Sequence, residues 1–300
     1  MDTLQAMAVF VRVVERGSFS AVARELNTSQ PTVSKYIAAL ERRLGGQLFT
    51  RRTRQLSLTD EGERYLQFCR DILAAVDNAE RSFKTGQEQI EGSLRIASSV
   101  SFGRLRIAPK LSAFLQRYPG VTADLHLSDS NVDLVEQGID IAIRIGELRD
   151  SNLKARKIGT TRRQLYAAPA YLERWGVPSS PAELAGHNCL VFSLLDQAEI
   201  WRLEHAGQWS HTQVRGNARS NSSEAIRQMV LDGSGISLSP TWLFDDALED
   251  GRVLVVLPGY SPASLPIHAV MPADRRQFAR VKAFCDYLGE AFAGQSDICL

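Results

Sequence analysis

The chain has 300 residues, 44% hydrophobic and 23% charged, with a formal net charge of +1; this suits about two folding units with sizeable cores and excludes a disordered or collagen-like chain. The charge is unevenly spread: residues 1–59 carry nine Lys/Arg against four Asp/Glu, a net of +5, and the rest carries 26 against 30. A basic head on a mildly acidic body suits a polyanion bound by the head alone, and a solvated basic face accounts for the charge equally well.

In chain order, residues 3–16 place Leu4, Met7, Val11 and Val14 on one helical face, with Phe10 beside them and Gly17 as the stop. Ser18 and Ser20 are cap candidates for a short helix over 21–26, and Asn27-Thr28 reads as a tight turn. Ser29 can cap a third helix with Pro31 in its first turn, where a missing N–H costs nothing. Val33, Ile37, Leu40 and Leu44 form its inward face, and Gly45-Gly46 ends it. Short extended pieces at 48–49 and 56–58 flank Arg51-Arg52-Thr53-Arg54, the shape of a wing.

Thr59 then caps a helix over about 60–85, whose Asp60, Glu61 and Glu63 complement its positive end. Tyr65, Cys69, Ile72, Val76, Ala79 and Phe83 follow four-three spacing. That is a heptad seam, which predicts a helix partner from a second protomer; the competing reading is an amphipathic face packed on its own domain.

From Gly92 onward strands and helices alternate, which argues for α/β layers. Strands are predicted at 94–97, 121–127, 139–145, 164–168, 236–238, 253–257 and 267–270. Helices are predicted at 102–118, 131–137, 170–175, 221–231 and 276–288. A hairpin over 201–214 turns at Ala206-Gly207. In the 139–145 strand, Ile139, Ile141, Ile143 and Ile145 alternate with Asp140, Ala142 and Arg144, the pattern of one buried face.

Cys69, Cys189, Cys285 and Cys299 show neither zinc nor redox spacing and read as reduced thiols. The N-terminal residues lack a signal-peptide pattern. The uncharged stretch 253–273 contains Pro258, Pro262, Pro266 and Pro272, which break any spanning helix. A cytoplasmic location without membrane contact follows as the expectation.

The third helix carries the chemistry of DNA reading. With its inward face fixed, it presents Gln30, Pro31, Thr32, Ser34, Lys35 and Ala38 outward, next to Ser29. Glutamine matches adenine bidentately, lysine reaches guanine O6/N7, and small residues permit close approach. Arg51, Arg52 and Arg54 suit phosphates or a minor groove.

The run SFSAVARELNTSQPTVSKYIAALERRLGGQLFTRRTRQLSLTDEG resembles the winged helix-turn-helix of the LysR-type transcriptional regulators. VDLVEQGIDIAIRIGELRDSNLKARKIG, AAPAYL and SSEAIRQMVLDGSGISLSP resemble the family's second half, so the likeness covers essentially the whole chain. It implies a winged helix-turn-helix at 1–59, a linker and dimerisation helix at 60–88, and at 92–300 a periplasmic-binding-protein-like (type 2) sensor of two α/β lobes. Lobe one would span about 92–161 and 266–300, and lobe two about 162–265. It also implies double-stranded DNA as partner, base approach at Gln30, Pro31, Ser34 and Lys35, and a homodimer or homotetramer. A small-molecule effector would lie between the lobes, with no cofactor, and RNA polymerase is a further partner open to such a regulator. The family usually has Arg where Lys35 stands; lysine is a point charge without a rigid fork.

Ligands of α/β sheets sit beyond strand C-termini, near helix starts. Ser98, Ser99 and Ser101 follow the first strand, Ser128 follows the 121–127 strand, and Asn221-Ser222 opens a helix. Any single serine reads more readily as a cap, but their convergence in the resembling fold predicts an anionic or polar effector. Arg144 is either its counter-charge or part of a structural ion pair.

Catalytic and phosphate-binding motifs are missing from the sequence, and His126, His187, His205, His211 and His268 show no ligand spacing, so neither catalysis nor a metal is expected. A cytoplasmic solute-binding protein and an architectural DNA binder remain as alternatives. The basic head counts against the first, and the elaborate two-lobe body against the second.

Overall fold

The computed structural model describes residues 2–50, 56–85, 90–130, 132–148, 152–273, 275, 278–295 and 297–299. The chain divides into two compact units, one of residues 1–93 with 136–138 and one of the remainder.

In the first unit, Asp2 caps α1 (Thr3–Arg16), accepting from the Leu4 N–H at 3.0 Å, and Gly17 ends it at φ 62°. Helix α2 (Phe19–Glu25) starts two residues earlier than predicted because Ser18, not Ser20, is its cap. Asn27 takes the turn at φ 49°. Helix α3 (Gln30–Leu44) is capped by Ser29 and closed by Gly45 at φ 71°. Leu48 and Phe49 are buried, and an antiparallel bridge joins Phe49 to Leu58. The Thr59 hydroxyl accepts from the Gly62 N–H at 2.9 Å and starts α4 (Asp60–Thr85).

The core of this unit gathers Phe10, Val13, Val22, Val33, Ile37, Leu40, Leu48 and Phe49. Helix α4 contributes Leu66 and Cys69 to the same core, with Tyr65 and Leu73 packed against it. The Phe10 ring meets Phe49 edge-on at 5.5 Å and Tyr65 at 5.9 Å.

The second unit contains three sheets. Strands β1 (Gly92–Ser98), β2 (Val121–Leu127), β3 (Ile141–Ile145), β4 (Lys154–Thr161), β13 (Leu265–Met271) and β14 (Ile298–Cys299) form a six-stranded sheet in the order β14-β4-β13-β3-β1-β2. Strands β1 and β3 are parallel, whereas β13 runs antiparallel to β3 and β4. Strands β5 (Arg163–Ala167), β6 (Cys189–Phe192), β9 (Arg219–Ser220), β10 (Ile236–Pro240) and β11 (Leu254–Val256) form a second sheet, ordered β11-β5-β10-β6-β9. Strands β7 (Ile200–His205), β8 (Gln208–Gln213) and β12 (Ser261–Pro262) complete a small third sheet. The chain passes between the larger sheets from β4 to β5, and returns through β12 to β13. Ala206 and Gly207, at φ 50° and 80°, make the hairpin turn that suits strand twist.

The six-stranded sheet is covered by a helical run: α5 (Val100–Phe102), a π-turn (Gly103–Ile107) and α6 (Ala108–Arg117), joined by α10 (Ala279–Ala293). Phe114 and Phe284 meet there at 5.0 Å. In the other sheet, α7 (Pro169–Trp175), α8 (Ser223–Leu231) and the short α9 (Asp245–Glu249) flank the strands.

Several local predictions fail. Leu44, expected on the inward face of α3, is 45% exposed because the helix ends there at Gly45, and Leu4 on α1 is exposed as well. Residues 134–138 form turns rather than a helix; Asp133 accepts from the Val135 N–H at 2.9 Å, a local bond that competes with helix formation. Strand β3 is buried on both faces, since Asp140 is 1% and Ala142 2% exposed. Asp140 is tolerated inside because it accepts from the Arg95 N–H at 2.9 Å and pairs with buried Arg275 at 3.3 Å.

Candidate DNA-binding and effector sites

Helix α3 separates its faces cleanly. Val33, Ile37 and Leu40 are 0–4% exposed, whereas Gln30, Pro31, Lys35 and Ala38 are exposed and Thr32 and Ser34 are half-buried. The structure therefore brings Gln30, Pro31, Ser34 and Lys35 to one side of the helix. Ser29 and Thr32 play a different part: their hydroxyls bond each other at 2.9 Å, and Ser29 accepts from the Thr32 N–H. Ser20, read from sequence only as a cap, donates to Gln30 Oε1 at 3.2 Å and fixes that amide from α2. Arg51, Arg52 and Arg54 lie outside the described residues.

The head's positive charge is not all available to a polyanion. Arg12 and Arg16 both donate to Glu25 at 2.8 Å, tying α1 to α2. Those bonds hold the Glu25 carboxyl below its ordinary range. Arg43 bonds Thr3 across the head. Lys35 and the exposed Arg24 and Arg42 carry the open charge among the described residues.

On α4 the predicted seam divides. Cys69 is fully buried in the head's own core and Tyr65 packs on it, so these two belong to an intramolecular contact, not to a face open to a second protomer. Ile72 is 38% exposed and Phe68, four residues before it, 40%. Val76 is half-buried, and the side chains of Ala79 and Phe83 lie outside the described residues. Four-three spacing is shared by a domain core and a helix pair, which is why the sequence merged them.

In the second unit, Ser98 ends β1 and Ser101 lies in α5, 4% and 0% exposed, and neither hydroxyl has a hydrogen-bond partner. Ser99 precedes α5 without a side-chain bond to it. Instead Asp129 caps that helix, accepting from the Val100 N–H at 2.9 Å. Ser128 pairs its backbone with Ser98 at 3.0 Å and turns its hydroxyl onto Ser130. Gly103 is needed where it stands: a Cβ there would lie 2.2 Å from Leu127 Cδ2 and 3.3 Å from the Ser98 Cβ.

Across the seam between the large sheets, Ser222 caps α8, its hydroxyl accepting from the Ala225 N–H, and Asn221 is exposed beside it. Two residues not singled out from sequence complete this side. Gln164 Oε1 on β5 and Thr241 Oγ1 after β10 are buried without partners. Thr241 follows a strand C-terminus and was open to the same rule that selected Ser98. Arg144 does not join the group. Ser98 is in register with Ile143, so Arg144 points to the opposite face of the sheet, where it donates to Val132 O at 3.1 Å.

The seam is closed by direct contacts. Phe102 meets Trp242 at 5.2 Å, and the Trp242 indole N–H donates to Thr161 at 3.0 Å. Arg104 pairs with Glu224 at 2.8 Å; Arg106 pairs with Asp245 at 2.6 Å and Asp297 at 2.9 Å. Burial holds the Asp245 carboxyl above its ordinary range despite Arg106. Among the described residues no group of three or more His, Cys, Asp or Glu could hold a metal ion, and no helix is long and apolar enough to cross a membrane.

A helix-turn-helix, a long helix and a two-sheet α/β unit of this kind define a DNA-binding transcription regulator with a substrate-binding-type domain. Residues 4–63 match the bacterial regulatory helix-turn-helix protein, lysR family, and residues 87–293 match the LysR substrate binding domain. The chain belongs to the LysR family of transcriptional regulators. CrgA of Neisseria meningitidis serogroup C is 35% identical over 95% of this chain and 96% of its own. DmlR of Escherichia coli K12 is 36% identical over 98% and 95%. The solved structure of CrgA superposes with a TM-score of 0.61 at 34% identity, covering 97% of this chain and 99% of that one. Full-length AphB, a Vibrio cholerae virulence activator, gives 0.57 at 28% identity over 96% and 98%. These relatives are transcription regulators, and the chain is a regulator rather than an enzyme.

Proposed function

We propose that this regulator reads a specific operator with α3 and changes its DNA complex when a small molecule binds at the seam between the two large sheets. The observation that carries the sensor half is the set of buried, unpartnered polar atoms on both sides of that seam: Ser98, Ser101, Gln164 and Thr241. Buried polar atoms are ordinarily paired, and four orphans at strand ends and helix starts mark a place where a ligand supplies the partners. Closure or opening of the lobes then alters the protein–DNA complex, provided that the ligand favours one lobe arrangement.

The protein acts as a homodimer or a tetramer, with the open face of α4 around Phe68 and Ile72 as the helix-pairing surface. The cell compartment is the cytoplasm, where DNA is met, and RNA polymerase is the further partner through which occupancy becomes transcription.

The test is a thermal-shift screen of metabolites against the full chain, followed by gel mobility on an operator selected by the protein from random DNA. A ligand at 100 times its dissociation constant raises stability by about 2.7 kcal/mol. Ser99→Leu should remove the ligand response and leave basal operator binding intact. A variant that still responds at wild-type concentrations places the ligand elsewhere.

A further inference from the structure

We propose that Ser20, on α2, is a specificity-determining positioning residue: it reads no base itself but holds the Gln30 amide in place to read one. This rests on the reading that α3 selects a sequence. Gln30 is the first residue of α3 and is exposed. A glutamine amide has a donor end and an acceptor end, carried on a flexible stem. Glutamine is also among the side chains that lose most freedom when ordered, so an untethered one both weakens a base contact and blurs it. Ser20 supplies the tether: its hydroxyl donates to Gln30 Oε1 at 3.2 Å, across ten residues of chain. The bond takes one lone pair of that oxygen. The second lone pair and both Nε2 hydrogens remain for a base edge.

Both ends of the tether are held by the fold. Ser20 lies in the first turn of α2, where the Ser18 hydroxyl accepts from the Ala21 N–H at 3.3 Å and the Ser18 carbonyl from the Val22 N–H at 3.2 Å. Val22 and Ala23 share a core with Val33 and Ile37 of α3, and Phe19 packs on Phe49 at 5.7 Å. Between the helices the Thr28 N–H donates to the Ala23 carbonyl at 2.8 Å, and the Ser29–Thr32 bonds set the start of α3. Ser20 is itself exposed, so its hydroxyl plays no part in that core. On DNA both side chains lose water, and a hydrogen bond that is weak in solvent strengthens in the drier setting. Lys35, on the same side of α3, has no side-chain hydrogen bond or ion pair among the described residues. Ser20 should therefore act on the base pair read by Gln30 and not on the one read by Lys35.

The test measures affinity of the full chain, by fluorescence anisotropy, for its selected operator and for a set of operators each changed at one base pair. Gln30→Ala and Lys35→Ala first mark the base pair whose discrimination each side chain supplies. Ser20→Ala, at an exposed helical position that alanine suits, should lower discrimination at the Gln30 base pair by about 2- to 10-fold and leave it intact at the Lys35 base pair. Ser20→Thr, which keeps the hydroxyl, should retain it at both. The Ser20→Ala/Gln30→Ala double variant should discriminate at that base pair no worse than Gln30→Ala alone, because the tether acts only through the amide. Equal loss at every base pair would mean that Ser20 merely braces the head, and full discrimination in Ser20→Ala would mean that Gln30 needs no tether; either result overturns the proposal. If Gln30→Ala costs no discrimination at any base pair, the reading of α3 fails at Gln30 and the proposal falls with it.

Discussion

Ser29 and Cys69 show how one residue type serves two readings. Ser29 is in the recognition segment, yet its hydroxyl is taken up by Thr32 and the helix start, so our proposal gives base contact to Gln30, Pro31, Ser34 and Lys35. Cys69 sits in a heptad position, yet burial pushes its thiol from 9.0 up to about 11. The folded state therefore favours the protonated thiol. That contribution is fully present below pH 9.0 and is lost as pH rises through about 11. Iodoacetamide should leave Cys69 unmodified in the native protein at pH 8 and alkylate it in urea, read by mass spectrometry; native alkylation would contradict its burial. Asp140 supplies a second test at this scale. Its carboxylate is buried with Arg275 at 3.3 Å, so Arg275→Met should strand a buried charge and lower stability by about 3–5 kcal/mol in urea unfolding. A loss below about 1 kcal/mol would show that the pair is dispensable.

At the scale of elements, the helices of the head were legible because caps and stops agree with hydrophobic spacing. Asp2, Gly17, Ser29, Gly45 and Thr59 each mark an end by a local bond or a positive φ that needs no tertiary context. The failures have tertiary causes. Alternation in 139–145 suggested one exposed face, but β3 lies between β13 and β1 and is covered on both sides. Strand β6 went unread because four residues, Cys189–Phe192, carry too little pattern to stand out. The α4 seam was read as one surface because a core stripe and a pairing stripe share the same period. The structure puts Cys69 in the head core and leaves Ile72 exposed, which fixes the choice of mutation. Ile72→Asp should leave the head folded by circular dichroism and convert the assembly to monomer by light scattering, since Ile72 is exposed and outside the head core. An unchanged mass would remove α4 from the pairing surface.

For the whole molecule, charge asymmetry and strand–helix alternation foretold a DNA-binding head and an α/β body, but not how the strands order into sheets. The six-stranded sheet unites β1–β4 with β13 and β14, more than 100 residues later in the chain, and no local signal carries that pairing. The candidate sensor site was legible in part for the same reason. Ser98, Ser101 and Thr241 follow from the rule for strand ends, whereas Gln164, at the start of β5, does not. The side of the sheet on which Arg144 falls depends on the register of β1 with β3, which the sequence does not state.

We propose that α3 selects a sequence and does not merely hold phosphate. It is tested most directly by fluorescence-anisotropy titration of wild type and Gln30→Ala/Lys35→Ala on the protein's own selected operator and on scrambled DNA, at one fixed salt concentration. The double variant should lose about 1–3 kcal/mol of operator affinity per base contact removed and fall to nearly its scrambled-DNA affinity, which should change little. Full retention of the operator preference by that variant would contradict the account.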